Sequence, residues 1–225
     1  PWELCYADES VKVGFGGKVE RYGDSVRWVP NKYVVAVPYD VLQAGYKADS
    51  CAKIRLWRAD AIDVFDYSAF NSGDYFGSVE NRVASETISK VLYPNDGTTQ
   101  GKELRLKQQF FFVSASLQDM IRSLKERDLP IEEFYNHYQV QLNDTHPSIA
   151  VAELMRLLMD DHELEWDLAW DITSKSIAYT NHTLLPEALE KWSVSLFENL
   201  LPRHLEIIYE INSRFLQIVR MHYPG

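Results

Sequence analysis

Two different spacings of hydrophobic positions divide the chain. In residues 1 to about 60, short runs alternate apolar and polar side chains, which is the period of a half-buried β-strand. From about Asp66 onward, apolar residues recur every three or four positions, which is the period of an amphipathic helix. The pattern therefore predicts a mixed α/β fold with a β-rich first quarter (1–65) followed by a helix-rich remainder (66–225).

The β-rich part contains a hairpin signal and two further strands. The string KVERYGDSVRWVP has two alternating runs around Tyr22-Gly23-Asp24, which predicts a tight hairpin. YVVAVPYDVL and KIRLWRAD are strand candidates, and QAGYKADSC is the loop between them. The string GFGG (Gly14–Gly17) meets neither phosphate-loop spacing, so we predict an ordinary turn there.

The helix-rich part has two long candidates. NSGDYFGSVENRVASETISKVLYP predicts a helix that ends before Pro94, and a second helix covers GKELRLKQQFFFVSASLQDMIRSLKERDLP. We also predict a short strand near Val140, helices that start near Pro147 and Trp166, and a last helix after Pro202. Two apolar stripes define the second and last helices: Phe110, Val113, Leu117, Met120, Ile121 and Leu124, and Leu205, Ile208, Ile211, Phe215 and Ile218.

Composition narrows the class of protein. The chain has 225 residues, a net charge of −10 and 46% hydrophobic residues, and this acidic balance argues against a nucleic-acid partner. Cys5 and Cys51 are too few for a disulfide framework, so we expect a cytoplasmic protein. No apolar run reaches the roughly 20 residues of a membrane span. Because the chain begins at Pro1 without Met or a leading element, we expect a fragment of a longer protein.

The stretch VQLNDTHPSIAVAELMRLLMD places polar residues between a strand and a helix. Asp144 or Thr145 would serve as an N-cap, and Pro147 would be tolerated in the first helical turn. Asp144 and His146 are two apart, so in an extended chain their side chains would point to the same side. A carboxylate and an imidazole at the C-terminal end of a strand are also where α/β proteins place their chemistry.

Three polar islands, at residues 93–105, 141–147 and 179–192, are the candidate functional segments. Each also has a structural interpretation: Asn95-Asp96-Gly97 as a turn, Asn181 and His182 as partners of backbone groups, and Glu187 and Glu190 as solvated carboxylates. A metal site built from Asp144, His146, His182 and a glutamate is an alternative, although no HExxH motif is present. No GxSxG motif supports a catalytic triad. Together the islands offer hydroxyl-binding side chains near aromatics, which is the chemistry that a sugar requires.

Several strings resemble the glycogen or α-glucan phosphorylase family. They occur in family order along nearly the whole chain: PWEL, RLW, VLYPND, GKELRLKQQFF, QLNDTHPSIAVAELMR, YTNHTLLPEALEKW and LLPRHLEIIYEIN. The resemblance implies a two-lobed fold, of which this chain would be the later part of the N-terminal lobe. It also implies phosphorolysis of terminal α-1,4-glucosyl units to α-glucose 1-phosphate, with retained configuration, in a cytoplasmic homodimer.

The resemblance implies substrate-binding rather than catalytic residues in this chain, and no metal. Asn95 and Asp96 would lie on a mobile gating loop, directly after a helix around Asp74–Leu92 that packs against its twin in the dimer. His182 and Thr183 would approach the 6-position of the sugar. An adjoining pocket would be lined by Asp144, His146, Ala188 and Glu190, and a glucan surface site by Tyr209 and Asn212. The cofactor, pyridoxal 5′-phosphate, would be held by a lysine of the absent C-terminal lobe.

Two departures from the family pattern concern regulation. Thr98 and Thr99 stand where animal members carry two aromatics, so an aromatic stacking site is not expected there. Arg122-Ser123 replaces an Arg-Arg pair that serves an activating nucleotide, which favours a constitutively active enzyme. The preferred glucan stays open. The alternative function, from another class, is a non-catalytic glucan-binding and dimerisation module.

Overall fold

The computed structural model describes residues 2–23, 25–62, 75–92, 94–186 and 189–223, and over 75–81 it describes the backbone only. The chain divides into two compact units. Unit 1 comprises Pro1–Gly14 and Tyr33–Asp119, and unit 2 comprises Phe15–Lys32 and Met120–Gly225. Strands dominate up to Ala61 and helices dominate the remainder, so the predicted mixed α/β class is confirmed.

The elements follow the predicted order closely. The strands in the described part of the chain are β1 (Leu4–Cys5), β2 (Val11–Phe15), β3 (Lys18–Tyr22), β4 (Ser25–Val29), β5 (Lys32–Ala44), β6 (Cys51–Ala61), β7 (Val140–Asn143) and β8 (Ile177–Thr180). The helices are α1 (Tyr75–Lys90), α2 (Thr99–Glu126), α3 (Phe134–His137), α4 (Ala150–Arg156), α5 (Trp166–Ser176), α6 (Val194–Leu200) and α7 (Pro202–His222). A π-helical turn at Leu157–Asp161 continues α4, and 3₁₀ turns lie at Ala7–Glu9 and Ile131–Glu133.

The sheet of unit 1 is built around β5. This strand pairs antiparallel with β1 and along its length with β6, from Val34 opposite Ala61 to Ala44 opposite Cys51, and it also pairs with β2. The loop between β5 and β6 lies where the sequence predicts it. Burial alternates in the second half of β6, where Trp57 and Ala59 are buried and Arg58 between them is exposed, whereas Ala36–Pro38 of β5 are all buried.

Helices α1 and α2 cover residues of β6 in unit 1. Ser89 of α1 accepts a hydrogen bond from the Ala59 backbone N–H at 2.9 Å, and the Trp57 indole donates to Ser116 of α2 at 3.1 Å. All but one of the predicted apolar stripe residues of α2 are buried, the exception being the half-buried Met120. The predicted helix and its buried face are therefore confirmed.

Arg55 is the polar centre of unit 1. Its guanidinium makes two bonds to the carboxylate of Asp40, at 2.7 and 2.8 Å, and it also pairs with Glu9 and Asp119. The hydrogen bond from Arg55 holds the pKa of the Asp40 carboxyl below its usual value against the opposing effect of burial. Because Asp40 lies in β5, Arg55 in β6 and Asp119 in α2, this one side chain fixes the helix on the sheet.

In unit 2, the β3–β4 hairpin has the predicted tight turn. Tyr22 pairs with Ser25, and Gly23 lies in the turn between them, whereas Asp24 lies outside the described residues. The turn predicted at Gly14–Gly17 is shorter than expected, because β2 includes Gly14 and Phe15 and ends only there. At Gly17, φ is +78° and a Cβ would lie 1.9 Å from the carbonyl oxygen of Val29, so only glycine fits.

A buried charge cluster holds the hairpin and the helices of unit 2 together. The carboxylate of Glu153, which is fully buried, accepts two hydrogen bonds from Arg156, at 2.8 and 3.0 Å, and lies 2.6 Å from His204 Nε2. Trp28 of β4 packs edge-on against the His204 ring and lies under the Arg156 guanidinium. The Trp28 indole also donates to the carbonyl oxygen of Gly16 at 2.7 Å. The carboxylate therefore joins α4 to α7, and Trp28 connects this ion pair to the hairpin.

The protonation states of the cluster follow from burial and charge. Burial alone would raise the pKa of Glu153, but the charge of Arg156 and the hydrogen bond with His204 outweigh it and bring the pKa to about 2. Burial lowers the pKa of His204, and its hydrogen bond with Glu153 offsets this only in part. At neutral pH the cluster therefore consists of an ion pair and a neutral imidazole.

The last helix begins where the sequence predicts it, and much of its apolar stripe is exposed. α7 runs from Pro202 to His222 as expected, with proline in its first turn. The buried residues of α7 are His204 and Ile207, whereas Ile208, Phe215 and Ile218 of the predicted stripe are exposed. The stripe therefore predicts the helix correctly, and the helix is anchored in unit 2 by His204 and Ile207.

We expect Glu153→Gln to destabilise the protein strongly. Glutamine keeps the shape of the side chain but removes the buried countercharge of Arg156 and leaves only the exposed Asp161 as its ionic partner. Breaking a buried ion pair typically costs about 3–5 kcal/mol. The free energy of unfolding in urea measures this loss. The matched control is Glu210→Gln, because the pair of Glu210 with Arg214 is exposed and should cost less than about 1 kcal/mol. Equal losses in the two variants would contradict the role assigned to the cluster.

Candidate functional site

Strands β7 and β8 end side by side in unit 2. They pair in parallel, with Val140 opposite Ile177 and Asn143 opposite Thr180. Because the two strands run in the same direction, the residues that follow each of them lie at the same edge. Open α/β sheets bind their ligands at such an edge. The second and third polar islands meet at this edge. Asn143 of one island contacts His182 of the other, although the two residues are 39 positions apart in the chain.

Asp144 connects the two strand ends. Its backbone N–H donates to the carbonyl oxygen of Thr180 at 2.9 Å, and its carboxylate accepts a hydrogen bond from the backbone N–H of His182 at 2.9 Å. Its φ of +60° lies in the left-handed region, which Asp and Asn adopt more readily than other non-glycine residues. The chain therefore turns sharply at Asp144, and the carboxylate holds the loop after β8.

The N-cap predicted for Asp144 or Thr145 is wrong. α4 begins at Ala150 rather than near Pro147, its N-cap residue is Ile149, and no side chain accepts a capping bond. Backbone turn bonds fill the interval, including one from the Ala150 N–H to the carbonyl oxygen of Pro147. The carboxylate of Asp144 is engaged by the loop after β8, so it cannot cap the helix.

The argument that Asp144 and His146 lie on one side of a strand also fails. β7 ends at Asn143, and the left-handed conformation of Asp144 removes the alternation on which that argument depends. His146 lies in the turn that precedes α4 and is half-buried. Its position close to the edge of the sheet is as expected, but the direction of its side chain does not follow from the spacing.

His182 is held by its backbone and by its ring. The backbone N–H bonds to Asp144, and the ring Nε2 lies 3.3 Å from Oδ1 of Asn143. His182 is otherwise exposed to solvent. Asn143 is absent from the sequence-based candidates, although its place as the last residue of β7, directly before Asp144, is a signal that could have identified it.

Further hydrogen bonds order the two loops. The Gln141 amide donates to the Thr180 hydroxyl at 2.7 Å, and the Thr145 hydroxyl donates to the Glu190 carboxylate at 3.3 Å. Asn181 Oδ1 accepts from the Thr183 N–H, and Thr183 Oγ1 accepts from the Leu185 N–H, at 3.0 and 3.2 Å. Thr183 therefore supports a loop and caps no described helix. Ala188 and Glu187 lie outside the described residues.

The first polar island lies in unit 1, between α1 and α2. Asn95 Oδ1 accepts a hydrogen bond from the Gly97 N–H at 2.9 Å, which confirms the predicted turn. Asp96 is exposed and pairs with Arg105 of α2 at 3.3 Å. The Thr98 hydroxyl accepts from the Gly101 N–H at 3.0 Å, so this residue caps α2.

Tyr209 and Asn212 lie on α7 and are both exposed. They are three residues apart, which places them on neighbouring positions of one helix face. The nearby Arg214 is more than a solvated side chain, because it lies over the Trp166 ring at 4.6 Å and pairs with Asp167 and Glu210. This surface therefore combines aromatic and amide groups with a fixed guanidinium.

The family is decided by comparison with known sequences. A family model described as carbohydrate phosphorylase matches residues 1–225. The chain belongs to the carbohydrate phosphorylase family. It is 56% identical to a glycogen phosphorylase of Synechocystis sp., 51% identical to glycogen phosphorylase 2 of Dictyostelium discoideum, and 50% identical to the human brain form of glycogen phosphorylase. Each alignment covers all of this chain but only 27%, 23% and 28% of the relative, so the chain spans about a quarter of their length.

The side chains at the sheet edge of this phosphorylase chain suit a neutral polyhydroxylated ligand. Amide, imidazole, hydroxyl and carboxylate groups offer both donors and acceptors. Among the side chains that the structure describes, no three His, Cys, Asp or Glu residues form a group able to hold a metal ion. Within the same described part of the chain, no helix is long and apolar enough to cross a membrane.

We expect Gly101→Ala to displace the loop that carries Asn95 and Asp96. A Cβ at this position would lie 1.8 Å from the carbonyl oxygen of Asn95. In an ordinary helix, replacing glycine by alanine stabilises the protein by about 0.5–1 kcal/mol. Here we expect the melting temperature to fall instead, because the loop must move. The control is Lys102→Ala at the adjacent exposed position. A melting temperature that rises with Gly101→Ala would contradict the close approach of the loop.

Proposed function

We propose that this chain is the sugar-facing part of an α-1,4-glucan phosphorylase, within the N-terminal lobe of a longer, two-lobed protein. The whole protein would use inorganic phosphate to cleave terminal α-1,4-glucosyl units of glycogen, starch or maltodextrin and release α-glucose 1-phosphate. Membership of the carbohydrate phosphorylase family supports this activity. The relatives named above are glycogen phosphorylases, and each is matched over the whole of this chain.

The observation that carries the proposal is the polar edge formed by β7 and β8. His182 is exposed there, and its backbone and ring are both tied to the end of β7. A fixed side chain loses little conformational freedom when a ligand binds, and such preorganised hydrogen bonds are how enzymes orient a substrate. The proposed role of this edge is therefore to orient a glucosyl unit, and no residue of the chain is assigned a proton-transfer role.

The remaining candidate residues are also assigned binding roles rather than catalytic roles. In unit 1, Asn95 and Asp96 present an amide and a carboxylate on an exposed loop, and we assign this loop a substrate-binding role of its own. In unit 2, Thr183, His146, Ala188 and Glu190 are assigned to the surroundings of the sugar. Tyr209 and Asn212 are assigned to a glucan surface site, where the tyrosine ring would pack on a sugar face and the amide would bind hydroxyls.

Pyridoxal 5′-phosphate does not fit the side chains of this edge. The cofactor requires a lysine amine for its aldehyde and cationic groups for its phosphate. The groups at the edge are those of Asn143, Asp144, Thr145, His182 and Glu190, which include neither lysine nor arginine. Under the proposal the cofactor is therefore held by the remainder of the longer protein.

Three finer features belong to the same proposal. α1 would pack against its twin in a homodimer, which sedimentation velocity of the full-length protein tests. The cytoplasm is the expected compartment. Activation by a nucleotide is not expected, because Arg122 is followed by serine and its guanidinium pairs with Glu126.

The proposed reaction has a direct assay. The full-length protein should release glucose 1-phosphate from maltodextrin only when inorganic phosphate is present. The isolated segment 1–225 should release none, because the cofactor site lies outside it. Binding of maltodextrin by the full-length protein without any phosphorolysis would instead favour a non-catalytic glucan-binding module.

Two substitutions of Asp144 distinguish the contribution of its charge to activity from the contribution of its hydrogen bond and backbone conformation. Asp144→Asn keeps an acceptor oxygen and tolerance of the left-handed region, so kcat/KM should fall only about fivefold, the difference between a charged and a neutral hydrogen bond. Asp144→Ala loses the acceptor and strains the backbone, so the fall should be about a hundredfold. Glucose 1-phosphate release by the full-length variants measures both. Equal effects of the two substitutions would contradict the role of Asp144 in holding the loop.

A further inference from the structure

We infer that Asn143 is a positioning residue that fixes the orientation and the tautomer of the His182 imidazole, and so makes its Nδ1 an acceptor for a sugar hydroxyl. The inference rests on the proposed function and deepens it, because it states how this edge distinguishes one hydrogen-bonding partner from another. Asn143 would not touch the substrate. It would act through His182.

The geometry places the amide of Asn143 beside the ring of His182. Asn143 is the last residue of β7 and pairs with Thr180, the last residue of β8, so His182 lies two residues beyond its strand partner. The amide oxygen of Asn143 is 3.3 Å from Nε2 of His182. The carboxylate of Asp144 accepts a hydrogen bond from the backbone N–H of His182 at 2.9 Å. His182 is therefore held both at its backbone and at the far end of its ring.

The chemistry of the two groups determines where the imidazole proton lies. An amide oxygen carries no hydrogen, so a hydrogen bond between Oδ1 of Asn143 and Nε2 of His182 requires the proton on Nε2. In a neutral imidazole the other nitrogen, Nδ1, then has a lone pair and accepts hydrogen bonds. A hydroxyl that meets Nδ1 must donate its proton to it.

The direction of this hydrogen bond gives the site a measurable preference. A sugar hydroxyl can donate, whereas a fluorine in the same place can only accept. If the proton were instead on Nδ1, the ring would donate, and a fluorinated sugar would keep part of the interaction. The tautomer set by Asn143 therefore predicts that one monodeoxyfluoro glucose binds as poorly as the corresponding deoxy glucose.

The experiment uses the full-length protein and four variants: Asn143→Ala, Asn143→Asp, His182→Ala and the double variant with both alanines. We expect Asn143→Ala to raise KM for the glucan about three- to tenfold with little change in kcat, the effect of one neutral hydrogen bond in binding. Asn143→Asp keeps an acceptor oxygen but adds a negative charge that favours the imidazolium, whose Nδ1 donates, so it should raise KM for the glucan and let a fluoro sugar bind better than its deoxy counterpart. In the His182→Ala background, Asn143→Ala should have no further effect.

The matched control is Gln141→Ala. Gln141 lies two residues before Asn143 in β7, is also exposed, and also bonds across to β8, but its partner is the Thr180 hydroxyl. A merely structural role of the strand-to-strand bonds would raise KM equally in both alanine variants. We expect Gln141→Ala to leave KM unchanged.

Three results would overturn the inference: an unchanged KM in Asn143→Ala, the same increase of KM in the His182→Ala background, or a fluoro sugar that binds to Asn143→Asp as poorly as its deoxy counterpart does. Binding of the set of monodeoxy and monodeoxyfluoro glucoses gives an independent test, and a fluoro sugar that retains the affinity lost by its deoxy counterpart would refute the assigned tautomer. Absence of phosphorolysis in the wild-type protein would refute the proposed function instead, and the sugar-binding test would still decide the tautomer.

Discussion

One buried carboxylate, that of Glu153, constrains the architecture of unit 2. A charge in the interior is tolerated only when it is paired and hydrogen-bonded, and here Arg156 and His204 supply both conditions. Because Arg156 in turn lies over Trp28, the hairpin is fixed to the helices by the same group. The π-helical turn after α4 extends the arrangement, since Asp160 within it makes a two-point bond with Arg203 at the start of α7.

The buried ion pair of Glu153 and Arg156 also affects the candidate site, because both residues lie on α4. The helix starts at Ala150, which is buried, and the turn before it leads back to Asp144 at the end of β7. A helix that is fixed by its buried charges therefore holds one side of the polar edge, and Asp144 holds the other by its bond to the loop after β8. The buried cluster provides stability, while the exposed side chains at the edge remain available to a ligand.

Local patterns in the sequence predicted most elements and failed where distant groups decide the structure. The β3–β4 hairpin, the β5–β6 pair, α2 and α7 follow from periodicity and from turn residues. The start of α4 does not follow from these local patterns. The carboxylate of Asp144 would be a good helix cap, but it binds the backbone N–H of His182, 38 residues away. The burial of His204 on α7 has a similar origin: this side chain meets Glu153, 51 residues away, and no spacing rule includes that partner. The contact of Asn143 with His182 does not follow from local sequence either, because only the pairing of β7 with β8 brings the two residues close.

The central claim is that the edge formed by β7 and β8 orients a glucosyl unit through a preorganised His182. A crystal structure of the full-length protein with bound glucose tests it most directly. The account predicts a sugar hydroxyl within about 3 Å of Nδ1 of His182, the heavy-atom distance of a hydrogen bond, with the contacts from Asn143 and Asp144 unchanged from those described here. Glucose bound away from this edge, or a His182 ring rotated out of reach of Asn143 when the sugar is present, would contradict it.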